Sequence, residues 1–440
     1  MQKIPKRFRS QPRDRFVSCI RPGGEVMIQM ELEFEHHLDI DRLAKAVELT
    51  LDAEPILGCR LVSGFWAPRW ERVDKDKRNT FSFTEDESKY EEFKHAGSDP
   101  LSGPQIKVCL LRTAGSDHLL LKVNHEVCDA SGVRYATSVL SSIYSRLADE
   151  PGYLPAPNLN NSRGPWQILR CIPYYAYPVI WYNFFRRNTF AGVFPIVSAR
   201  LPEADDSCET LEYVTRRIPA DMLQHITEYG RQRKSTVNDL MLASFFHALT
   251  SVSDWNHRTQ LRVVIPVDVR RYRTYDGEDG ICNLFGMELL DLGTDLGDTF
   301  DHTLERISSH MHRRKAGWIG INDWVGLTPV NIFVPYAITK RVIPRVMTFV
   351  LKIGSTPYCL TNMGSIEKDK VTFDKPPVDA RLLPSINYAP HIVYGISSYD
   401  GTLTISAGSC SSRREQLEQF FDAMIDVLPS PAIEKVAVAL

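Results

Sequence analysis

Leu119-Leu-Leu-Lys-Val-Asn-His-Glu-Val-Cys-Asp-Ala-Ser-Gly132 is the stretch on which the reading of this chain turns. A mostly apolar run ends abruptly in Asn124 and His125, passes Asp129 and reaches Ser131-Gly132, the pattern of a buried strand emptying into a tight polar loop. Val133, Ala136, Leu140, Ile143, Tyr144 and Leu147 then recur at helical spacing. A strand, a loop and a helix follow, with His125 and Asp129 as a His-x-x-x-Asp pair in the loop.

Upstream, Gln105–Arg112 and His118–Asn124 flank a turn at Gly115-Ser116-Asp117 and read as the hairpin that delivers His125. Met27–Phe34 alternates apolar and polar residues, which predicts a strand with one wet face. Asp39 and Asp41 precede a helical run that stops at Pro55. Downstream, 153–165 is rich in Pro and Asn and reads as a crossover. A second set of ingredients follows it. Leu211–Ile218 reads as a strand, Thr236–Leu249 as a helix capped by Ser235 or Thr236, and Leu261–Val269 as a strand buried on both faces that ends in Arg270-Arg271. A helix over Asp298–Lys315 takes Asp298 as its cap, strands cover Tyr358–Gly364, His391–Ser398 and Thr402–Ala407, and Arg414–Leu428 closes the chain as a helix.

At 440 residues the chain exceeds one ordinary hydrophobic core. An α/β (α+β) architecture of two similar lobes is expected, with 1–155 as the N-terminal lobe, 156–200 as the crossover and 201–440 as the C-terminal lobe. A hydrophobic share of 43%, a charged share of 24% and a net charge of -2 argue against disorder and against nucleic-acid binding. Lys3, Lys6, Arg7, Arg9, Arg13 and Arg15 read as a solvated arm. Nine cysteines without a C-x-x-C pair read as reduced thiols, and with no signal-peptide pattern a cytoplasmic location is expected. Two aromatic segments, Trp166–Phe194 and Trp324–Ile353, are interrupted by Pro or charge and are too broken to span a bilayer. They are expected as interior helices or an apolar substrate wall, with contact to a membrane surface left open.

The order of these segments resembles the CoA-dependent acyltransferase superfamily: chloramphenicol acetyltransferases, condensation domains of nonribosomal peptide synthetases, BAHD and polyketide-associated acyltransferases. His125-Glu126-Val127-Cys128-Asp129 matches the core of the family's His-His-x-x-x-Asp-Gly signature. Glu54-Pro55-Ile56-Leu57, Ser235–Leu240, Pro266–Arg270 followed by Asn283, and Thr361-Asn362-Met363-Gly364 match at their expected places. The resemblance implies a two-lobed chloramphenicol-acetyltransferase-like fold with a channel between the lobes, and His125 as the catalytic base. It further implies that Asp129 is structural and pairs with Arg270.

Chemistry agrees with that reading, because acyl transfer from a thioester needs an alcohol or amine deprotonated by a near-neutral base. Asn124, Ser131, Gly132, Asn283, Thr361 and Asn362 are the candidates for oxyanion or substrate contact. The expected donor is acyl-CoA or a carrier-bound acyl-phosphopantetheine as co-substrate, with no bound cofactor. The expected acceptor is an apolar alcohol or amine, and nucleic acid is not an expected partner. Two departures stand out: Asn124 replaces the first His, and Ala130 replaces a Gly whose freedom at positive φ the turn could require. They keep open a catalytically silent relative that binds a thioester or a partner protein. Absence of an Asp-Phe-Gly-Trp-Gly stretch argues against a true BAHD enzyme. His125-Glu126 begins H-E-x-x-H, but Asp129 stands where the second zinc ligand would be, so no metal is expected. Cys128 reads as structural, and His36-His37 as surface. No G-x-S-x-G, P-loop or G-x-G-x-x-G is present.

Overall fold

The structure, a computed structural model, describes residues 3–159, 163–186, 198–202, 210–256, 258–274, 280–353, 357–388 and 390–430. The end of the first aromatic segment, 187–194, and other parts of the crossover, 160–162 and 195–197, therefore lie outside the described residues.

Strand Asp117–Asn124 pairs antiparallel with Ile106–Arg112 on one side and with Met27–Phe34 on the other. Its run Leu119-Leu120-Leu121 is fully buried, each side chain contributing roughly 1.5–3 kcal/mol. Five strands form this sheet, ordered Asp379–Leu383, Met27–Phe34, Asp117–Asn124, Ile106–Arg112 and Phe81–Thr84. Helices Ile40–Ala53 and Ala130–Asp149 pack over one face and enclose the first core. A six-stranded sheet makes the second half, ordered Phe285–Asp291, Arg262–Asp268, Tyr358–Ile366, Val393–Tyr399, Thr402–Cys410 and Leu211–Ile218. Helices Val237–Val252 and Arg414–Asp426 cover it, with Phe245, Tyr394 and Phe420 in mutual ring contact at 5.0 to 5.4 Å.

The halves share one strand. Asp379–Leu383 belongs to the second half in sequence yet closes the edge of the first sheet against Met27–Phe34. That placement corrects the expectation of a wet face on Met27–Phe34. Gln29 and Glu31 are buried, and Glu31 is enclosed by Arg381 of the shared strand at 2.7 Å and by Lys94 at 3.1 Å. Burial opposes its ionisation, but these two cations outweigh it and hold the carboxyl at about 2.

Other expectations are corrected too. The basic N-terminal segment is not a free arm: Arg7–Arg9 pairs with Arg69–Arg72, and helix Pro12–Ile20 buries Phe16, Val17 and Cys19. Strand Arg262–Asp268 is only half-buried at its C-terminal end. Thr299, and not Asp298, caps helix Phe300–Ala316, accepting from the His302 amide at 3.2 Å. Cys410 is disulfide-bonded, so the reading of the cysteines as uniformly reduced does not hold. The two aromatic segments fold into helices Trp166–Leu169, Tyr177–Arg186, Ile321–Phe333 and Tyr336–Lys352. They bury Ile168, Ile180, Ile321 and Trp324 in a small core of their own, as an interior reading expects, and expose other apolar residues such as Tyr182, Phe185, Phe333 and Phe349. No helix among the described residues is long and apolar enough to cross a membrane.

Candidate active site

His125 follows the last residue of strand Asp117–Asn124, and its backbone amide donates to the Val26 carbonyl at 2.8 Å. Its Nδ1 lies 2.9 Å from the Cys128 carbonyl. A carbonyl can only accept, so Nδ1 carries the hydrogen and Nε2 is left with its lone pair. Burial lowers the pKa of the ring, and the Asp129 charge and the surrounding hydrogen bonds offset this only in part. His125 is therefore a neutral imidazole with a proton-accepting nitrogen. The Phe285 ring, 5.3 Å away and tilted, forms a wall beside it, and the Arg13 guanidinium covers the Phe285 ring at 5.0 Å.

Asp129 does not touch that ring through any hydrogen bond seen here. It caps helix Ala130–Asp149 by accepting from the Gly132 amide at 3.0 Å, and accepts from the Leu284 amide at 2.7 Å. Arg270 grips it with two parallel bonds of 2.8 and 3.0 Å. Burial pushes the carboxyl upward, but Arg270 and the two amides outweigh it and hold the pKa below the usual carboxylate range. The bonds from Arg270 to Asp129 tie the loop to the second half of the molecule, within which Arg270 also donates to the Cys282 carbonyl at 3.1 Å.

Ala130 needs no special backbone, because it opens the helix and is absent from the positive-φ residues. The glycine requirement has moved to Gly132, where an added Cβ would sit 2.5 Å from the Cys128 Cβ. Cys128 is buried, and burial raises its thiol well above the ordinary range, so it is a packed, protonated residue.

Several candidates brace the loop. Asn283 donates its amide to the carbonyls of His125 at 2.9 Å and Glu126 at 3.1 Å. Ser131 donates to Asp268 at 2.9 Å and accepts from Arg134, which in turn donates to the Ser365 carbonyl across the two halves. Asn124 is buried in the strand with its amide nitrogen unpartnered. Thr361 and Asn362 sit on strand Tyr358–Ile366, against which helix Ala130–Asp149 packs; the Asn362 side-chain Oδ1 accepts from the Gly364 amide at 3.0 Å. His37 bonds the Thr113 carbonyl, and His36 meets the Phe34 ring edge-on. Among the described residues no cluster of His, Cys, Asp or Glu could hold a metal ion.

Sequence reasoning missed Arg163. Placed in the crossover, it donates to the Val127 and Ile281 carbonyls, each at 2.7 Å, and pairs with buried Asp14 at 3.0 Å. It missed Glu126 as well, which is fully buried with neither carboxyl oxygen meeting a hydrogen-bond partner among the described residues. An Arg in a Pro- and Asn-rich stretch and a Glu in a spacer carry no local pattern that would have singled them out.

No protein-family profile and no curated protein matches the chain. Solved structures do. The TRI3 trichothecene 15-O-acetyltransferase from Fusarium sporotrichioides is similar at TM-score 0.69 and 12% identity, covering 96% of this chain and 94% of that one. A nonribosomal peptide synthetase cyclization-docking bidomain, EpoB from Sorangium cellulosum, is similar at TM-score 0.66 and 15% identity, covering 96% and 84%. Polyketide synthase associated protein 5 from Mycobacterium tuberculosis is similar at TM-score 0.64 and 16% identity, covering 94% and 97%.

Proposed function

With the fold established as the two-lobed one shared by these acyltransferase and condensation-type proteins, we propose that this chain transfers an acyl group from a thioester to a hydroxyl or amine. His125 is the general base. The observation that carries the proposal is the division of labour in the loop: Nδ1 is fixed on the Cys128 carbonyl, which leaves Nε2 as the nitrogen with a lone pair, and Asp129 is engaged by Arg270. In the proposed reaction Nε2 takes the acceptor's proton as its oxygen or nitrogen attacks the thioester carbonyl. The tetrahedral oxyanion collapses, the carbon–sulfur bond breaks, and the proton held on Nε2 passes to the departing thiolate. No acyl-enzyme is required when both substrates are held in register. Thr361 and the Asn362 amide nitrogen are the proposed oxyanion contacts.

Acyl-CoA is the proposed donor, with an apolar alcohol or amine as acceptor and Phe285 as part of the apolar wall. A donor carried on phosphopantetheine is the second reading, favoured by similarity to the synthetase bidomain. The test is thiol release from a panel of acyl-CoAs and acyl-carrier proteins, with and without alcohols and amines. Release that requires an acceptor supports transfer, and the donor that works assigns the donor class. No release from any pair in a broad panel would leave the silent thioester-binding relative as the reading.

A further inference from the structure

We propose that the protein docks on anionic phospholipid bilayers through the face built by helices Tyr177–Arg186, Ile321–Phe333 and Tyr336–Lys352 and the hairpin tip at Phe65-Trp66. These elements adjoin. The Tyr336 and Ala337 amides donate to the Trp66 and Phe65 carbonyls at 3.1 and 3.0 Å, and the Phe184 ring lies against Gly326. Only Val334 and Pro335 separate the second helix from the third.

Helix Tyr336–Lys352 is the clearest part. At ~100° per residue its side chains fall into three sectors. Tyr336, Thr339 and Val350 are buried, and the helix packs on Pro12–Ile20. Beside them Ile338, Val342, Val346 and Phe349 form an apolar row that faces solvent, with Phe349 60% exposed. Beyond this row, Arg341, Arg345 and Lys352 form an exposed basic flank. An apolar strip bordered by long basic side chains matches the boundary between acyl chains and headgroups.

Around it, Phe333 is 76% exposed, Trp66 64% and Phe185 76%, and Tyr182 is exposed as well. Scattered apolar residues are ordinary on a surface, but adjoining elements that all present aromatic rings are an interaction face. Charge identifies what covers it. In a chain of net charge -2, no Asp or Glu occurs between Glu150 and Glu203 or between Asp323 and Glu367, while Arg recurs through the first stretch and Arg and Lys through the second. The three helices and the hairpin tip together carry one acid, Asp323 near the start of the second helix, and a face so poor in acids and edged with bases is complementary to anionic headgroups. Trp324, on the second helix, also donates to the Phe285 carbonyl, so the face adjoins the wall of the His125 site.

Full-length protein is mixed with vesicles of phosphatidylcholine alone or with about one-third phosphatidylserine, and bound protein is measured by flotation. Binding is expected to the serine-containing vesicles and to fall with added salt. Val342→Glu with Phe349→Glu should lower partitioning at least about tenfold. Arg341→Gln with Arg345→Gln should lower it by about fivefold per charge. Melting and acyl transfer to a water-soluble acceptor should stay as in the parent. Absence of vesicle binding, or binding that ignores these substitutions, overturns the proposal. So does a dimer that the Val342→Glu, Phe349→Glu variant converts to monomer without vesicle binding, which would give the face to a second copy.

Discussion

Glu126 and Asp129 stand on one turn, both buried, and the protein treats them in opposite ways. Asp129 accepts two backbone amides and two Arg270 bonds, so its charge is matched on every side. Among the described residues Glu126 has only a loose ion pair with Arg21 at 4.0 Å, and burial pushes its carboxyl up to about 7. The fold has put its ionic anchor at the helix end of the loop and left at the strand end a carboxyl that keeps its proton until the pH nears 7. Next to His125, which burial keeps neutral, this limits the charge that would compete for its proton.

Breaking the anchored end should have the largest effect on stability. Arg270→Met leaves Asp129 buried and unmatched, and denaturant unfolding should show a loss of about 3–5 kcal/mol. A loss below ~1 kcal/mol would mean that the pair is not what holds the loop.

The soft end responds with the opposite sign. The folded pKa of Glu126 is raised from 4.5 to about 7, so the folded state binds the proton more tightly than the unfolded state does. Its contribution is most favourable below pH 4.5 and is lost as pH rises towards 7. Glu126→Gln removes that loss, so the variant should exceed the parent by up to ~3 kcal/mol above pH 7 and match it near pH 4. Asp129, with a depressed pKa, stabilises above the usual carboxylate range and loses that contribution on acidification. Urea melts of parent and Glu126→Gln from pH 4 to 8 would separate the two slopes.

A smaller effect is expected at the joint between the ends. Asn283→Ala removes the donors to the His125 and Glu126 carbonyls and should cost roughly 1–2 kcal/mol. It should lower kcat more than it raises KM, because the ring loses its backbone support. A change in KM alone would place Asn283 at the substrate.

Much of this loop was legible in advance. An apolar strand ending in His125, a helix with apolar residues at period 3.6, and bounds such as Met27–Phe34 and Leu211–Ile218 are local patterns that chemistry writes into the chain. The capping box of Thr236 and Asp239 is equally local. What stayed hidden depends on distant partners. The polar face of Met27–Phe34 reads as wet because Arg381, some 350 positions away, is what satisfies Glu31. Likewise Asp14 and Arg163 look solvent-bound until the fold brings them together under the loop. The aromatic helices read as interior, which holds for the side that buries Ile180, Ile321 and Trp324; the exposed side stayed hidden because composition counts apolar residues without saying which way they face.

His125 as the base is the claim on which the rest depends. Acceptor-dependent thiol release should be measured for the parent and His125→Ala side by side, with melting recorded on the same samples. The expected result is a fall of about 10²–10⁴-fold at an unchanged melting temperature. Equal rates in two equally folded proteins would contradict it.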